Sequence, residues 1–245
     1  MNALVFGASA GIGRSLCRVL AARGDSLTLI SRDMRDLEAE GAHCRAVYGV
    51  EVDCLAMDAA DPRKVSEVLT AYLAASDRCF DTLLFPVGGA LDNDLVRSSV
   101  DTIERTFNTN LLSVMTAVSV LLPRMATGRG GAIVGFGSIA SIRGRNSNVA
   151  YAAAKRALES FFESLRHDLS VSAINVQFYR LGYIATQQSF GRRLLIPVPS
   201  PETVAATVVA NLGRHFGSRS LPRFWLLAAI ALRLLPWRLF RQLRF

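Results

Sequence analysis

Along the chain, short apolar runs rich in Val, Ile, Leu and Phe alternate with longer stretches whose apolar positions recur every three or four residues. The runs are ALVFG (3–7), SLTLIS (26–31), VDCLAM (52–57), DTLLFP (81–86), GAIVGFGS (131–138) and AINVQFYR (173–180). Between them the periodicity predicts helices over 12–23, 33–41, 61–76, 101–126 and 148–169. Near-continuous apolar runs fit strands buried on both faces, and their alternation with helices across short polar connections builds βαβ units. The expected fold class is therefore α/β: a doubly wound parallel sheet in a single domain.

Periodicity fails from 181 to 200, LGYIATQQSFGRRLLIPVPS, which carries Pro197 and Pro199. A segment following the sixth strand lies over the carboxyl ends of the strands, where open α/β sheets bind ligands, so it is a candidate lid. Ser200 as N-cap and Pro201 at the first position predict a helix from 201 to about 213. The domain is expected over 1–217, followed by a basic, apolar tail over 218–245.

With 245 residues, 51% hydrophobic and 20% charged, the chain can bury one sizeable core and is not predominantly disordered. Its net charge of +8 is unevenly spread: no acid follows Glu202, while Arg214, Arg219, Arg223, Arg233, Arg238, Arg241 and Arg244 do. The nearly neutral body argues against a nucleic-acid partner, and a basic end with Trp225 and Trp237 hints at a membrane surface. Cys17, Cys44, Cys54 and Cys79 form no metal-ligand spacing with the histidines and read as reduced, packed thiols. The opening MNALVFGASAG reads as a first strand rather than a signal peptide, giving a cytoplasmic expectation with peripheral contact to the inner face of the membrane.

After the first strand, FGASAGIG places Gly7, Gly11 and Gly13 at a strand-to-helix turn, with Ser9, Ile12 and Arg14 beside them. Glycine serves where the chain turns with positive φ and where a phosphate approaches the backbone, and the following helix offers free NH groups. The second strand ends LISRD, with Ser31 and Arg32 where an acid would bind the ribose hydroxyls of NAD. A guanidinium there suits the extra phosphate of NADP, so NADP(H) is preferred over NAD, with Asp33 as the opposing sign.

Ser138 ends the fifth run, Tyr151 follows thirteen residues later, and Lys155 lies one helical turn beyond in YAAAK. A residue at the end of a central strand and two on one face of the next helix can meet at one point. A carbonyl oxygen that gains charge needs a proton; a phenol, with an ordinary pKa near ~10, is a better acid beside an ammonium. Lys155 supplies that charge, and Ser138 a second hydrogen bond to the same oxygen.

In this order GASAGIG, Asn110 in NTNLLSVM, Ser138 and YAAAK resemble the short-chain dehydrogenase/reductase family over about residues 1–215. The resemblance implies a Rossmann-type fold, an NAD(P)-dependent oxidoreductase and a homodimer or homotetramer. It also implies a ribose contact for Lys155, a water relay supported by Asn110, an adenine contact for Asp58 and a carboxamide contact for Thr186. Three departures stand out: Leu181 for a proline, expected to loosen the lid's entry; Phe6 for a threonine; and PVGG (86–89) where NNAG is usual.

For the substrate, Arg143, Arg145, Arg192 and Arg193 can place guanidinium groups at the cleft rim for an anionic group, or be solvated loop charges. The uninterrupted apolar run Phe224–Leu232 spans roughly 14 Å as a helix, about half a bilayer. Beyond Pro236, helical spacing puts Leu239, Phe240 and Leu243 opposite Arg238, Arg241 and Gln242, as in an interfacial helix; the alternative is a flap packed on the body or a neighbour. GRNSNVAYAAAK with such a tail resembles a bacterial branch of the family that includes a decaprenylphosphoryl keto-ribose reductase. The leading expectation is an NADPH-dependent ketoreductase acting on a lipid-linked or phosphorylated keto-sugar. Its rivals are a reductase of small carbonyl, 3-oxoacyl or steroid substrates and a non-catalytic NADP-binding scaffold.

Overall fold

A computed structural model of the chain describes residues 1–91, 94–125, 130–185 and 198–242. Strand β1 (Asn2–Phe6) buries both its faces, Ala3 and Val5 toward one layer and Leu4 and Phe6 toward the other. Period-two alternation with apolar residues at every position is what a sheet sandwiched between helices requires. Around it lie β2 (Ser26–Ser31), β3 (Val52–Ala56), β4 (Thr82–Phe85), β5 (Gly131–Ser138), β6 (Ile174–Leu181) and β7 (Ser218–Leu221). Among the described residues these form one seven-stranded sheet, parallel throughout, in the order β3-β2-β1-β4-β5-β6-β7. The order reverses between β1 and β4, so their carboxyl ends open a crevice there.

One face of the sheet is covered by α1 (Gly11–Ala22), α2 (Met34–Tyr48) and α7 (Pro201–Ala210). The other is covered by α3 (Pro62–Ala75), α5 (Ser113–Leu121) and α6 (Val149–Asp168). Ser200 caps α7 by accepting from the Thr203 NH, as its sequence predicts. Helix α2 outruns the expected end at 41: Gly41 continues the helix close against β3, where a Cβ would stand 3.0 Å from the Cys54 sulfur. Cys17 and Cys44 are buried, but Cys79 is exposed rather than packed.

The helix expected over 101–126 is three pieces: α4 (Val100–Phe107), a π-helical turn over Asn108–Leu112, and α5. The stretch Val100–Arg124 is long and apolar enough to cross a membrane by length and composition, yet its Val114, Ala117, Val118 and Leu121 are buried in the core.

Residues 218–221, assigned to the tail by sequence, are the strand β7, paired with β6 from Phe178↔Ser218 to Leu181↔Leu221. Leu181, at the entry to the expected lid, pairs with Ser138 on one side and Leu221 on the other. Beyond β7 come α8 (Trp225–Leu234) and α9 (Trp237–Phe240). In α9, Phe240 is buried while Leu239 is 53% exposed, so the two do not share a face as interfacial spacing suggested; Leu243 lies outside the described residues.

Helix α6 begins without a cap of its own. Asn148 precedes it with φ 52°, and its side chain makes no capping bond. Asp94, 1% exposed, reaches in from the loop after β4 and accepts from the NH groups of Ala150 (2.8 Å) and Tyr151 (2.8 Å). The carboxylate thus satisfies two donors and faces the positive end of the helix dipole. We expect Asp94→Ala to leave both donors buried and unpaired, lowering stability by roughly 2–4 kcal/mol. Thermal unfolding should show a midpoint roughly 5–15 °C lower, with a smaller loss for Asp94→Asn; an unchanged midpoint would refute this capping role.

Candidate active site

The crevice at the carboxyl ends of β1, β4 and β5 is a cleft of about 780 Å³. The glycine turn forms one end. Gly7 adopts φ +106°, and a Cβ there would approach the Val87 backbone nitrogen to 2.8 Å. A Cβ on Gly13 would lie 1.8 Å from the Gly7 carbonyl oxygen, so only glycine lets α1 start this close to β1. Gly7, Ser9, Gly11, Ile12 and Gly13 line the cleft, and Ala10, at the N-cap, offers no side-chain acceptor to the first NH groups of α1. Glycine-enforced proximity plus free helix NH groups makes a cradle of the kind that holds phosphate.

Nearby, Ser9 Oγ and Ser31 Oγ are 2.7 Å apart, tying the turn to the end of β2. Arg32 is exposed and makes no hydrogen bond or ion pair with the described residues. Asp33 is committed elsewhere, capping α2 through the NH groups of Arg35 and Asp36. Arg14 donates to the Ser9 carbonyl and pairs with the buried Glu40 at 3.6 Å, so its charge is partly matched within the protein. Asp58, beyond β3, accepts from the Ala60 NH and lies 3.6 Å from Arg105. Thr186, Arg192, Arg193 and most of the expected lid lie outside the described residues.

At the other end, Ser138, Tyr151 and Lys155 line the same cleft. Ser138 terminates β5, while Tyr151 and Lys155 stand one turn apart on α6, with the ammonium 6.0 Å from the phenol ring centre. Lys155 is 4% exposed and donates to the carbonyls of Val87 (3.3 Å) and Phe136 (3.1 Å), just past β4 and inside β5. Burial pushes its ammonium down to about 8. Burial also raises the Tyr151 phenol above its ordinary value, with a hydrogen bond from Ser138 and the charge of Arg145 pulling it back. Ser138 and Arg145 thus oppose the effect of burial and ease the phenol's ionisation.

Asn110 sits in the π-helical turn, 1% exposed. Its amide closes a two-way clamp on Gly89, accepting from that NH (3.0 Å) and donating to that carbonyl (2.9 Å), with a further bond to the Thr106 carbonyl. Between Asn110 and Lys155 lies Gly88, φ +131°, where a Cβ would meet Asn110 Oδ1 at 2.4 Å and Lys155 Nζ at 2.7 Å. The widened π turn is a local departure of the kind found at functional sites.

The cleft also holds residues that sequence reading placed apart from it. Trp225, Leu232 and Phe240 line it, so α8 and α9 form part of its wall. Trp225 packs its indole where a Cβ on Gly182 would sit, and its ring centre lies 5.9 Å from that of Tyr183. Arg143, expected at the rim for an anion, instead donates to the carbonyls of Leu232 (2.7 Å) and Leu235 and packs over the Phe240 ring at 3.9 Å. A composition signal existed for this wall, an aromatic and leucine-rich tail too short to span a bilayer, but the contact partners lie far away in sequence. Asp94 left no local signal, because the helix it caps begins more than fifty residues later.

Comparison with known proteins accords with this architecture. The sequence model of a family described as "short chain dehydrogenase" matches residues 1–193. Carbonyl reductase family member 4 of Danio rerio is 31% identical over 192 residues, 77% of this chain and 78% of that protein. Inactive hydroxysteroid dehydrogenase-like protein 1 of Rattus norvegicus is 30% identical over 217 residues, 86% of this chain and 65% of that protein. Among solved structures, a short chain dehydrogenase from Burkholderia cenocepacia J2315 in complex with NADP superposes with a TM-score of 0.80 at 26% identity, covering 89% of this chain and 94% of that one. The chain belongs to the short chain dehydrogenase family, oxidoreductases acting on alcohol and carbonyl groups.

Proposed function

We propose that the chain is an NADPH-dependent reductase of ketones, with Tyr151 as proton donor, Ser138 polarising the carbonyl, Lys155 orienting and charging the site, and Asn110 bracing it. The observation that carries this reading is the meeting of Ser138, Tyr151 and Lys155 in one cleft with the glycine cradle. A dinucleotide fits the residues present: the cradle excludes Cβ atoms at Gly7 and Gly13, and Arg32 offers an unmatched guanidinium beside it. Such a cofactor, in its reduced form, supplies hydride to the carbonyl carbon.

What the protein adds is proton management. A phenol held above its ordinary value keeps its proton at neutral pH, as a donor to a nascent alkoxide must. Ser138 offers a second hydrogen bond where negative charge grows. Lys155 is charged below about pH 8, and its carbonyl partners fix the ammonium under the reacting end of α6. The non-catalytic alternative draws on the inactive relative, but the complete Ser, Tyr and Lys set favours turnover.

Preference for the phosphorylated cofactor rests on Arg32, on the capping duty of Asp33, and on the NADP-bound structural relative. The substrate reading supported best is a carbonyl compound of the kind named for the carbonyl reductase relative. A finer reading places the enzyme at a membrane surface, on a lipid-linked keto-sugar as in the bacterial branch it resembles. Exposed Leu226, Leu227, Ile230, Leu234, Trp237 and Leu239 beside exposed Arg223, Arg233, Arg238 and Arg241 favour that addition.

NADPH oxidation against a panel of ketones should fall by about 10²–10⁴-fold in Tyr151→Phe, while fluorescence still detects NADPH binding. In the parent enzyme kcat/KM should decline as pH rises through about 8, where Lys155 loses its proton. The folded state holds that proton less tightly than the unfolded chain, so the cost of the buried charge is present below about 8 and relieved above it. A full rate in Tyr151→Phe would end the mechanism. Arg32→Gln should raise KM for NADPH by about 10- to 100-fold, the equivalent of one charge-assisted contact, and leave KM for NADH within about twofold; an equal effect on both removes the 2′-phosphate role. For the membrane reading, phosphatidylglycerol vesicles should float the protein, phosphatidylcholine vesicles should not, and Leu227→Glu with Trp237→Glu should abolish flotation. Failure to float with anionic vesicles removes that reading alone.

A further inference from the structure

Of the guanidinium groups near the cleft, Arg145 stands out. It lines the cavity with Tyr151, Asn148 and Ser138. Its Nε is fully buried yet has no hydrogen-bond partner, and no carboxylate pairs with it among the described residues. Arg143, two residues earlier, shows how such a group is normally settled, with two carbonyls and an aromatic face. A buried donor without an acceptor is costly, and a cationic donor beside a reacting centre is a place for an anion.

We infer that Arg145 is a substrate-binding residue, and that the carbonyl substrate carries a carboxylate or phosphate group near its reacting carbon. This rests on the reductase reading above and narrows its substrate class. The guanidinium, which makes no hydrogen bond or ion pair among the described residues, presents a planar fork that takes two oxygens of either anion. The cleft is also lined by Tyr183, Trp225, Leu232 and Phe240, so the rest of the substrate meets hydrocarbon and aromatic surface. The anion also has a chemical role through charge balance: Arg145 eases ionisation of Tyr151, and an anion seated on it offsets that effect, leaving the phenol protonated until the carbonyl oxygen demands the proton.

Matched ketone pairs test this: acetoacetate against its ethyl ester for the carboxylate arm, and dihydroxyacetone phosphate against dihydroxyacetone for the phosphate arm. In the full-length enzyme the kcat/KM ratio of charged to neutral member should be about tenfold or more in at least one arm, which identifies the anion. Arg145→Gln should collapse that ratio to about one, and Arg145→Lys should keep part of it. A second readout needs no turnover. With NADP saturating, tryptophan fluorescence should respond saturably to acetate or inorganic phosphate, through Trp225 in the same cleft, and lose that response in Arg145→Gln. A ratio near one in both arms for the parent enzyme, or a ratio or anion response that survives in Arg145→Gln, overturns the inference. Ketones left unreduced while the Arg145-dependent anion response persists would instead overturn the reductase reading and leave the anion site standing.

Discussion

The site is organised around one buried ammonium. Lys155 has almost no contact with solvent, and a charge in that position is tolerated only where carbonyl dipoles surround it. Val87 and Phe136 provide them because β4 and β5 run side by side, with Phe85 opposite Gly135, and both residues lie just beyond that last paired position. Gly88 must be glycine to let the chain pass between the ammonium and Asn110, and Asn110 in turn fastens the neighbouring Gly89 in both directions. Two strand ends, a widened helical turn and α6 are therefore locked about a single charge, and the phenol one turn away inherits its position from that lock.

How the sequence encodes this differs by element. Strands buried on both faces write themselves as apolar runs, so β2 and β5 coincide with their expected limits. Residues whose chemistry depends on one strand end and one helix, Ser138, Tyr151 and Lys155, were readable because the fold places those elements together whenever it forms. Where a feature depends on contacts between remote segments, the sequence was silent. The helix expected to end at 41 runs on, and Gly41 is the residue that lets α2 approach β3. The π turn adds a residue to a helix without altering its composition, so 101–126 read as continuous. Strand β7, SRSL, is a short edge element with one buried residue and carries no apolar run to announce it.

The C-terminal elements show the same limit in a functional setting. Their basic, aromatic composition suggested an appendage, and part of their surface does remain apolar and exposed. Trp225, Leu232 and Phe240 nevertheless face the cleft, fixed by the room that Gly182 leaves and by Arg143 gripping the carbonyls at the end of α8. Arg143 and Arg145 were indistinguishable in sequence, two arginines in one loop. Their surroundings separate them: the first is consumed by the fold, and the second is left for something else.

The same arrangement divides the cleft between early and late parts of the chain. A ribosome releases the polypeptide from its amino end. The glycine turn and the Ser138–Lys155 constellation are synthesised well before α8 and α9, which supply one part of the cleft wall. Because Trp225, Leu232 and Phe240 come from that last segment, changes there reshape the cleft wall while Ser138, Tyr151 and Lys155 keep supports of their own from β5 and α6.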